Sequence, residues 1–200
     1  MRLEADGIVS VEFQPAGEGA VFPPFSAGSH IDLHLPNGLM RSYSLCNAAG
    51  DSGRYVVGVQ LDRASRGGSR YVHEQLRVGQ AIEISAPRNN FALHEDAPRS
   101  VLVSGGIGIT PLWCMLQRLV ALGKPVELIY CARSRAEAAF AKSVAALAGR
   151  VHVTWHFDSE RGGPPDLPAL LANRGADSHY YCCGPAPMLD AFERECERVG

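Results

Sequence analysis

The sequence predicts two domains in tandem, an antiparallel β-barrel over residues 1–95 and a parallel-sheet α/β domain over residues 96–200. Three observations predict it. The first half consists of short β-patterned stretches separated by turn formers. The second half alternates apolar strand-like runs with amphipathic stretches, the pattern of a parallel sheet with helices on its faces. Between them, Val101-Leu102-Val103-Ser104 runs straight into the glycine-rich turn Gly105-Gly106-Ile107-Gly108-Ile109-Thr110-Pro111.

In the first half, residues 8–13, 30–35, 54–61 and 81–85 carry alternating or β-branched patterning and are predicted strands. Pro23-Pro24, Pro36-Asn37-Gly38 and Asp51-Ser52-Gly53 are the turn formers between them. Arg41-Ser42-Tyr43-Ser44-Leu45 falls at the end of a barrel strand, and His73-Glu74-Gln75-Leu76 looks helical. Short strands at this spacing fit a small antiparallel barrel.

Residues 89–98 form the junction. Beyond it the expected order is strand 101–104, helix 111–122, strand 126–131, helix 134–148, strand 151–156, a short helix 166–173, strand 179–183 and helix 185–198. Ser134 is the expected N-cap of the second helix, with Glu137 completing a capping box. The stretch 159–165 is the most turn-rich and is expected to be exposed. Ligands of such sheets bind at the carboxyl ends of the strands, where Gly105 to Pro111 lies. Three glycines in four positions permit positive φ and close approach to a ligand, and the helix that follows turns free N–H groups toward an anion. The spacing is not G-x-G-x-x-G, and a turn that merely packs tightly is the alternative reading of the same residues.

Composition narrows the function. With 46% hydrophobic and 20% charged residues the chain is globular, and 19 basic against 21 acidic side chains leave a formal charge of -2. No basic field recommends nucleic acid or an anionic membrane as partner. No apolar run reaches the ~18–20 residues of a membrane span, and Met1–Asp6 lacks the apolar core of a signal peptide, so a cytoplasmic location is expected. Cys46, Cys114, Cys131, Cys182, Cys183 and Cys196 show neither C-x-x-C nor iron–sulfur spacing and read as reduced thiols. His30 with His34, and His152 with His156, would each share a strand face, but with no third ligand in sight no metal site is predicted.

Three further segments carry chemistry. Arg41 offers a guanidinium fork suited to phosphate and Tyr43 a flat ring, although the same alternation also describes a plain solvent-lapped strand. Arg66-Gly67-Gly68-Ser69 combines a cation, two permissive glycines and a hydroxyl, the ingredients of a phosphate nest or of a flexible surface loop. Tyr180-Tyr181-Cys182-Cys183-Gly184-Pro185 runs a strand into a Gly-Pro turn, where Cys183 is either cleft-facing or a buried small hydrophobe. In this order, with the glycine turn between the last two, the motifs resemble the ferredoxin–NADP reductase superfamily. The resemblance is strongest to the branch of phthalate dioxygenase reductase and vanillate demethylase reductase, and it extends over nearly the whole chain.

The resemblance implies a flavin-binding barrel followed by an NAD(P)-binding domain, with FMN as the flavin and NADH as donor, NADPH being the alternative that Arg133-Ser134-Arg135 leaves open. It implies an oxidoreductase that takes hydride from NAD(P)H to FMN and passes single electrons to an iron–sulfur carrier or a Rieske-type oxygenase component. Ser44, Cys183 and Thr110 become the catalytic positioning groups at the flavin N5 edge and the nicotinamide. Arg41, Ser42, Tyr43 and Ser44, then Arg66, Gly67, Gly68 and Ser69, become the flavin-binding residues. Gly105, Gly106, Gly108, Thr110, Pro111, Arg133, Ser134, Cys183, Gly184 and Pro185 become those for the nicotinamide nucleotide, and Cys182 is left to packing. Reductases of this branch carry another barrel strand before a segment like Asp6–Ser10, and a further strand and a [2Fe–2S] domain after one like Glu197–Gly200. The expectation is therefore a fragment of a longer reductase or a trimmed one served by a separate carrier, the [2Fe–2S] cluster not being in this chain. Uncovered sheet edges would follow. A non-catalytic flavin- or nucleotide-binding module on the same fold is the other reading left open.

Overall fold

Alternating apolar side chains in the first half build two three-stranded antiparallel sheets. The computed structural model describes residues 1–51, 53–172, 174 and 177–199. Strands β1 (Arg2–Ala5), β2 (Ile8–Phe13) and β5 (Tyr55–Gln60) form one sheet in the order β1-β2-β5. Strands β3 (His30–His34), β4 (Met40–Ser44) and β6 (Glu83–Ile84) form the other in the order β4-β3-β6. A bridge between Leu45 and Val57 joins the two sheets into a barrel-like layer. Ile8, Ile31, Leu33, Leu45, Val57 and Val59 are fully buried between them, each worth about 1.5–3 kcal/mol by removal from water. The hairpin from β1 to β2 turns on Asp6-Gly7, with Gly7 at φ 68, the conformation a two-residue turn of this kind requires. β1 was not expected, although Met1-Arg2-Leu3-Glu4-Ala5-Asp6 alternates apolar and polar residues; it lays a strand against β2 ahead of Asp6–Ser10, where one was expected to be lacking. The strand expected over 81–85 shrinks to two residues, and at its end Asp32 N donates to the Ser85 hydroxyl at 2.9 Å in place of a backbone carbonyl. The chain still follows β3, through Ser85 and Arg88.

Helix α1 (Gly68–Glu74) opens at Gly67, φ 97, earlier than the helical stretch expected at 73–76. Ser52 of the expected turn 51–53 lies outside the described residues.

The second half forms a four-stranded parallel sheet from β7 (Arg99–Gly105), β8 (Val126–Ala132), β9 (His152–Phe157) and β10 (Ser178–Cys183). The order is β10-β7-β8-β9. The chain steps outward from β7 to β8 and β9, then returns to the other side of β7 to lay down β10. That reversal makes the carboxyl ends of β7 and β10 the switch point of the sheet, the place outside which ligands of open α/β sheets bind. Helix α2 (Ile109–Ala121) follows β7 through a 3₁₀ turn over Gly106–Gly108. The continuous helix expected over 134–148 is not formed. A 3₁₀ turn (Arg135–Glu137) and a short α3 (Ala141–Ala145) are separated by Phe140, which holds the left-handed φ of 57. Phe140 is buried and stacks on Trp113, so tertiary packing outweighs local propensity here. Ser134 makes no side-chain cap; its hydroxyl donates to the Glu137 carboxylate at 3.3 Å instead. Short helices α4 (Asp158–Arg161), within the stretch expected as loop, and α5 (Leu167–Leu171) follow β9, and Asp166 caps α5 by accepting from Ala169 N at 3.2 Å. Position 173, the expected end of that helix, lies outside the described residues. Helix α6 (Ala186–Val199) closes the chain after β10.

One apolar core spans the barrel, α2 and the facing side of the parallel sheet, through Leu33, Val59, Leu112, Met115, Leu128 and Tyr130. A second, made by Val101, Val103, Ile129, Leu167, Leu171 and Met188, lies on the opposite face under α5 and α6. α2 is thus the shared wall between the halves, and Gln117 ties it to the barrel by donating to Cys46 O at 3.0 Å. Among the described residues, no helix is long and apolar enough to cross a membrane.

Candidate functional site

The turns that leave β7 and β10 interlock backbone to backbone at this switch point. A Cβ on Gly108 would lie 2.1 Å from the Cys183 carbonyl oxygen, and one on Gly105 would lie 2.6 Å from Met188 Sδ and 2.7 Å from Pro185 Cδ. One on Gly184 would stand 3.1 Å from Gly105 Cα. No side chain fits at Gly108 without moving backbone, and one at Gly105 or Gly184 would press on the facing turn, so the sequence Gly105…Gly108 and the sequence Cys183-Gly184-Pro185 are two halves of one joint. Gly106 differs. It sits at φ 54 with nothing within 4 Å of a would-be Cβ, so it is kept for its backbone conformation beside open space.

Thr110 and Pro111 are buried in the first turn of α2. The Thr110 hydroxyl donates to Ile107 O at 3.0 Å, and its methyl faces Gly58 of β5, where a Cβ would come within 2.6 Å. Thr110 therefore joins the glycine turn to the barrel. Cys183 is half-buried on the barrel-facing side of the sheet, and burial pushes its thiol above the ordinary range. Its neighbour Cys182 points to the opposite core, its thiol pushed up to about 12 by burial. Ser104, in register with Cys183, was not singled out in the sequence; its hydroxyl is fully buried and has no hydrogen-bond partner among the described residues.

On the barrel, β4 presents Arg41 and Tyr43 on one face and Ser42 on the other. A Cβ on Gly68 would lie 2.7 Å from Arg41 Nε, so the guanidinium stem lies directly on the Arg66–Ser69 loop. The Arg41 Nη1 donates to Met40 O at 2.7 Å, and among the described residues Arg41 forms no ion pair. The loop is braced from within. Ser65 Oγ accepts from Gly67 N at 3.2 Å and Arg70 N at 3.3 Å, and Ser69 donates to the same oxygen at 3.0 Å. Arg66 is exposed. Tyr43 is half-buried against the core, and desolvation raises its hydroxyl pKa against the pull of Arg41. Ser44, also half-buried, pairs with His30.

Ser42 is turned away from this face. Its hydroxyl donates to Asp32 Oδ1 at 2.6 Å, and Arg88 pairs with the other carboxylate oxygen. Those two hydrogen bonds hold the Asp32 carboxyl below its ordinary value.

At the carboxyl end of β8, Arg133 is exposed, its carbonyl accepting from Ser159 N at 2.9 Å. Arg135 grips Glu160 in a bidentate pair at 2.6 and 3.0 Å and lies 4.6 Å from the Phe157 ring centre. Neither Glu160 nor Phe157 carries a signal in sequence; only the parallel adjacency of β8 and β9 brings them there. A groove of about 1000 Å³ runs along Glu12, Arg54, Trp113 and Phe140, and none of the sequence-predicted site residues lines it.

The chain is similar to several known reductases. Residues 102–194 match the family model described as the oxidoreductase NAD-binding domain. Over 194 residues the chain is 52% identical to the tetrachlorobenzoquinone reductase of Sphingobium chlorophenolicum, covering 94% of this chain and 59% of that protein. It is 50% identical over 188 residues to the vanillate O-demethylase oxidoreductase of Pseudomonas putida, covering 93% and 58%. The solved structure of phthalate dioxygenase reductase, described as a modular structure for electron transfer from pyridine nucleotides to [2Fe–2S], superposes with a TM-score of 0.89 at 34% identity. The match covers 98% of this chain and 61% of that one. The chain thus spans about three-fifths of the length of the relatives it matches.

Proposed function

We propose that the chain is an NAD(P)H-dependent flavin oxidoreductase of the ferredoxin–NADP reductase superfamily, on the branch of the phthalate dioxygenase and vanillate demethylase reductases that it resembles, serving an oxygenase system. The observation that carries the reading is the interlocked joint of Gly105, Gly108 and Gly184 at the strand-order reversal. A backbone joint with an open, positive-φ glycine beside it suits a nucleotide that must approach main chain closely. The barrel residues fit a flavin phosphate on separate grounds. Arg41 has no carboxylate partner among the described residues and rests on a loop whose glycine at 68 leaves room for its stem. We assign FMN and NADH as the bound groups, 1–95 and 96–200 as the two binding domains, and an iron–sulfur carrier or a Rieske-type oxygenase component as the electron acceptor.

When bound, the two cofactors supply hydride transfer from the nicotinamide C4 to the flavin N5 and one-electron release to the acceptor. The protein binds and orients. Arg41 and the Arg66–Ser69 loop anchor a phosphate, Tyr43 offers a face for the ring, and Ser44 offers a hydroxyl to its polar edge. Cys183, kept a neutral thiol by burial, borders the nicotinamide side without competing as a nucleophile. Thr110, locked to Ile107 and seated on Gly58, sets the distance between the halves. No general base is required.

The test is direct. Purified protein reconstituted with FMN should show bound flavin absorbance that bleaches anaerobically on addition of NADH. A protein that holds neither FMN nor FAD, or whose flavin stays oxidised with both NADH and NADPH, overturns the proposal.

A further inference from the structure

The carboxyl ends of β8 and β9 hold an arrangement that nucleotide binding alone does not explain. In an open α/β sheet the end of the second strand is where the adenosine ribose is read, and the 2′ position is the only chemical difference between the two nicotinamide donors. A 2′-phosphate is a dianion and needs an uncommitted guanidinium, preferably one fixed in place. The best-fixed guanidinium here is Arg135, and it is already committed. Its Nε and Nη2 are taken by the two oxygens of Glu160 at 2.6 and 3.0 Å, and its face lies over Phe157. Ser134, the neighbouring hydroxyl, donates to another carboxylate, Glu137. Arg133 and Arg161, the other cations of this rim, are exposed and form no ion pair among the described residues. Binding a phosphate with them requires ordering a free side chain.

We propose that Glu160 is the residue that sets donor preference: by holding Arg135 against Phe157 it denies the guanidinium to a 2′-phosphate and selects the 2′-hydroxyl nucleotide, NADH over NADPH. This rests on the nucleotide site assigned above. The carboxylate acts twice, since it neutralises the one oriented cation and stands as a like charge in the path of the phosphate. The pair is solvent-exposed, with side chains 70% and 44% accessible, so the discrimination is modest, about two- to fivefold.

The experiment uses calorimetric titration of the flavin-loaded protein with 5′-ADP and 2′,5′-ADP, for wild type and Glu160→Gln. Wild type should favour 5′-ADP. Glu160→Gln should raise the affinity for 2′,5′-ADP relative to 5′-ADP by about two- to fivefold, and the gain should shrink with added salt and vanish in Glu160→Gln/Arg135→Ala. Tighter binding of 2′,5′-ADP by wild type, or an unmoved ratio in the variant while 5′-ADP still binds, overturns the role of Glu160 and leaves the nucleotide site standing. Failure of either nucleotide to bind either protein removes both.

Discussion

Gly58→Ala tests whether the two halves are held at a fixed spacing. The added Cβ would stand 2.6 Å from Thr110 Cγ2, whereas ordinary carbon contacts lie at ~3.5–4.0 Å, so something must retreat by about 1 Å. β5 is held by its ladder to β2, with Gly58 opposite Ser10. Thr110 is held by its bond to Ile107 and by burial in α2. The cheapest movement is a shift of α2 and its glycine turn away from the barrel. Overpacking of this kind costs about 1–3 kcal/mol, or roughly 3–10 °C in Tm for a chain of this size. A misplacement of ~1 Å at a reacting pair costs on the order of a hundredfold in rate. Stopped-flow reduction of bound flavin by NADH should therefore slow by about one to two orders of magnitude, while FMN affinity, which depends on Arg41 and the 66–69 loop, stays within a factor of about two. Thr110→Ser deletes the offending methyl and keeps the hydroxyl, so Gly58→Ala/Thr110→Ser should recover most of the rate. If Gly58→Ala reduces its flavin at the wild-type rate with an unchanged Tm, or the double variant is no faster than the single, the spacing argument fails.

Other consequences follow from the same geometry. Arg41→Ala should weaken FMN binding by about tenfold to a hundredfold, the worth of one charge-assisted bond to phosphate, while riboflavin, which lacks the phosphate, should lose far less; fluorescence titration of both ligands separates the two. Gly108→Ala places a Cβ 2.1 Å from a backbone oxygen that no rotamer can move, so it should lower Tm by several degrees and abolish nucleotide binding, read by thermal melts and 5′-ADP titration; normal binding would contradict the interlocked joint. Asp32 titrates below its ordinary 3.8 because Ser42 and Arg88 bond its charged form. The stability it contributes is complete above that value and is lost as pH falls through the lower folded-state pKa. Acid titration monitored by circular dichroism should therefore show Asp32→Asn less stable than wild type at neutral pH, with the gap closing in the acid limb.

The alternation of apolar residues was enough to read the order of strands and helices, because a buried sheet imposes its period on the chain wherever packing and propensity agree. It failed where they diverge. The helix expected over 134–148 is broken by Phe140, whose left-handed backbone is compensated by a stack on Trp113 that no local pattern reveals. Strand 81–85 is cut short where the Ser85 side chain takes the Asp32 N–H, and the chain rejoins β3 only at Arg88. β1 escaped notice although Met1, Leu3 and Ala5 alternate with polar residues, because a four-residue edge strand gives the period too few repeats to stand out.

The site divides along the same line. Residues whose type is dictated by backbone geometry were visible in advance: glycines at 105, 108 and 184 are demanded by contacts as short as 2.1 Å, and such demands leave a mark at one position whatever surrounds it. Residues whose role depends on what a second element brings to them were not. Ser42 looks from sequence like its neighbours Arg41 and Tyr43, yet a period of two sends it to Asp32 on the other face. Thr110 looks like a free hydroxyl, yet the missing side chain of Gly58, fifty-two positions earlier, turns it into the hinge-pin between barrel and sheet. Arg135 looks like a phosphate ligand until α4, which follows β9, delivers Glu160 to it. In each case the residue keeps its chemistry, and the fold decides whether that chemistry remains available to a ligand or is consumed in holding the protein together.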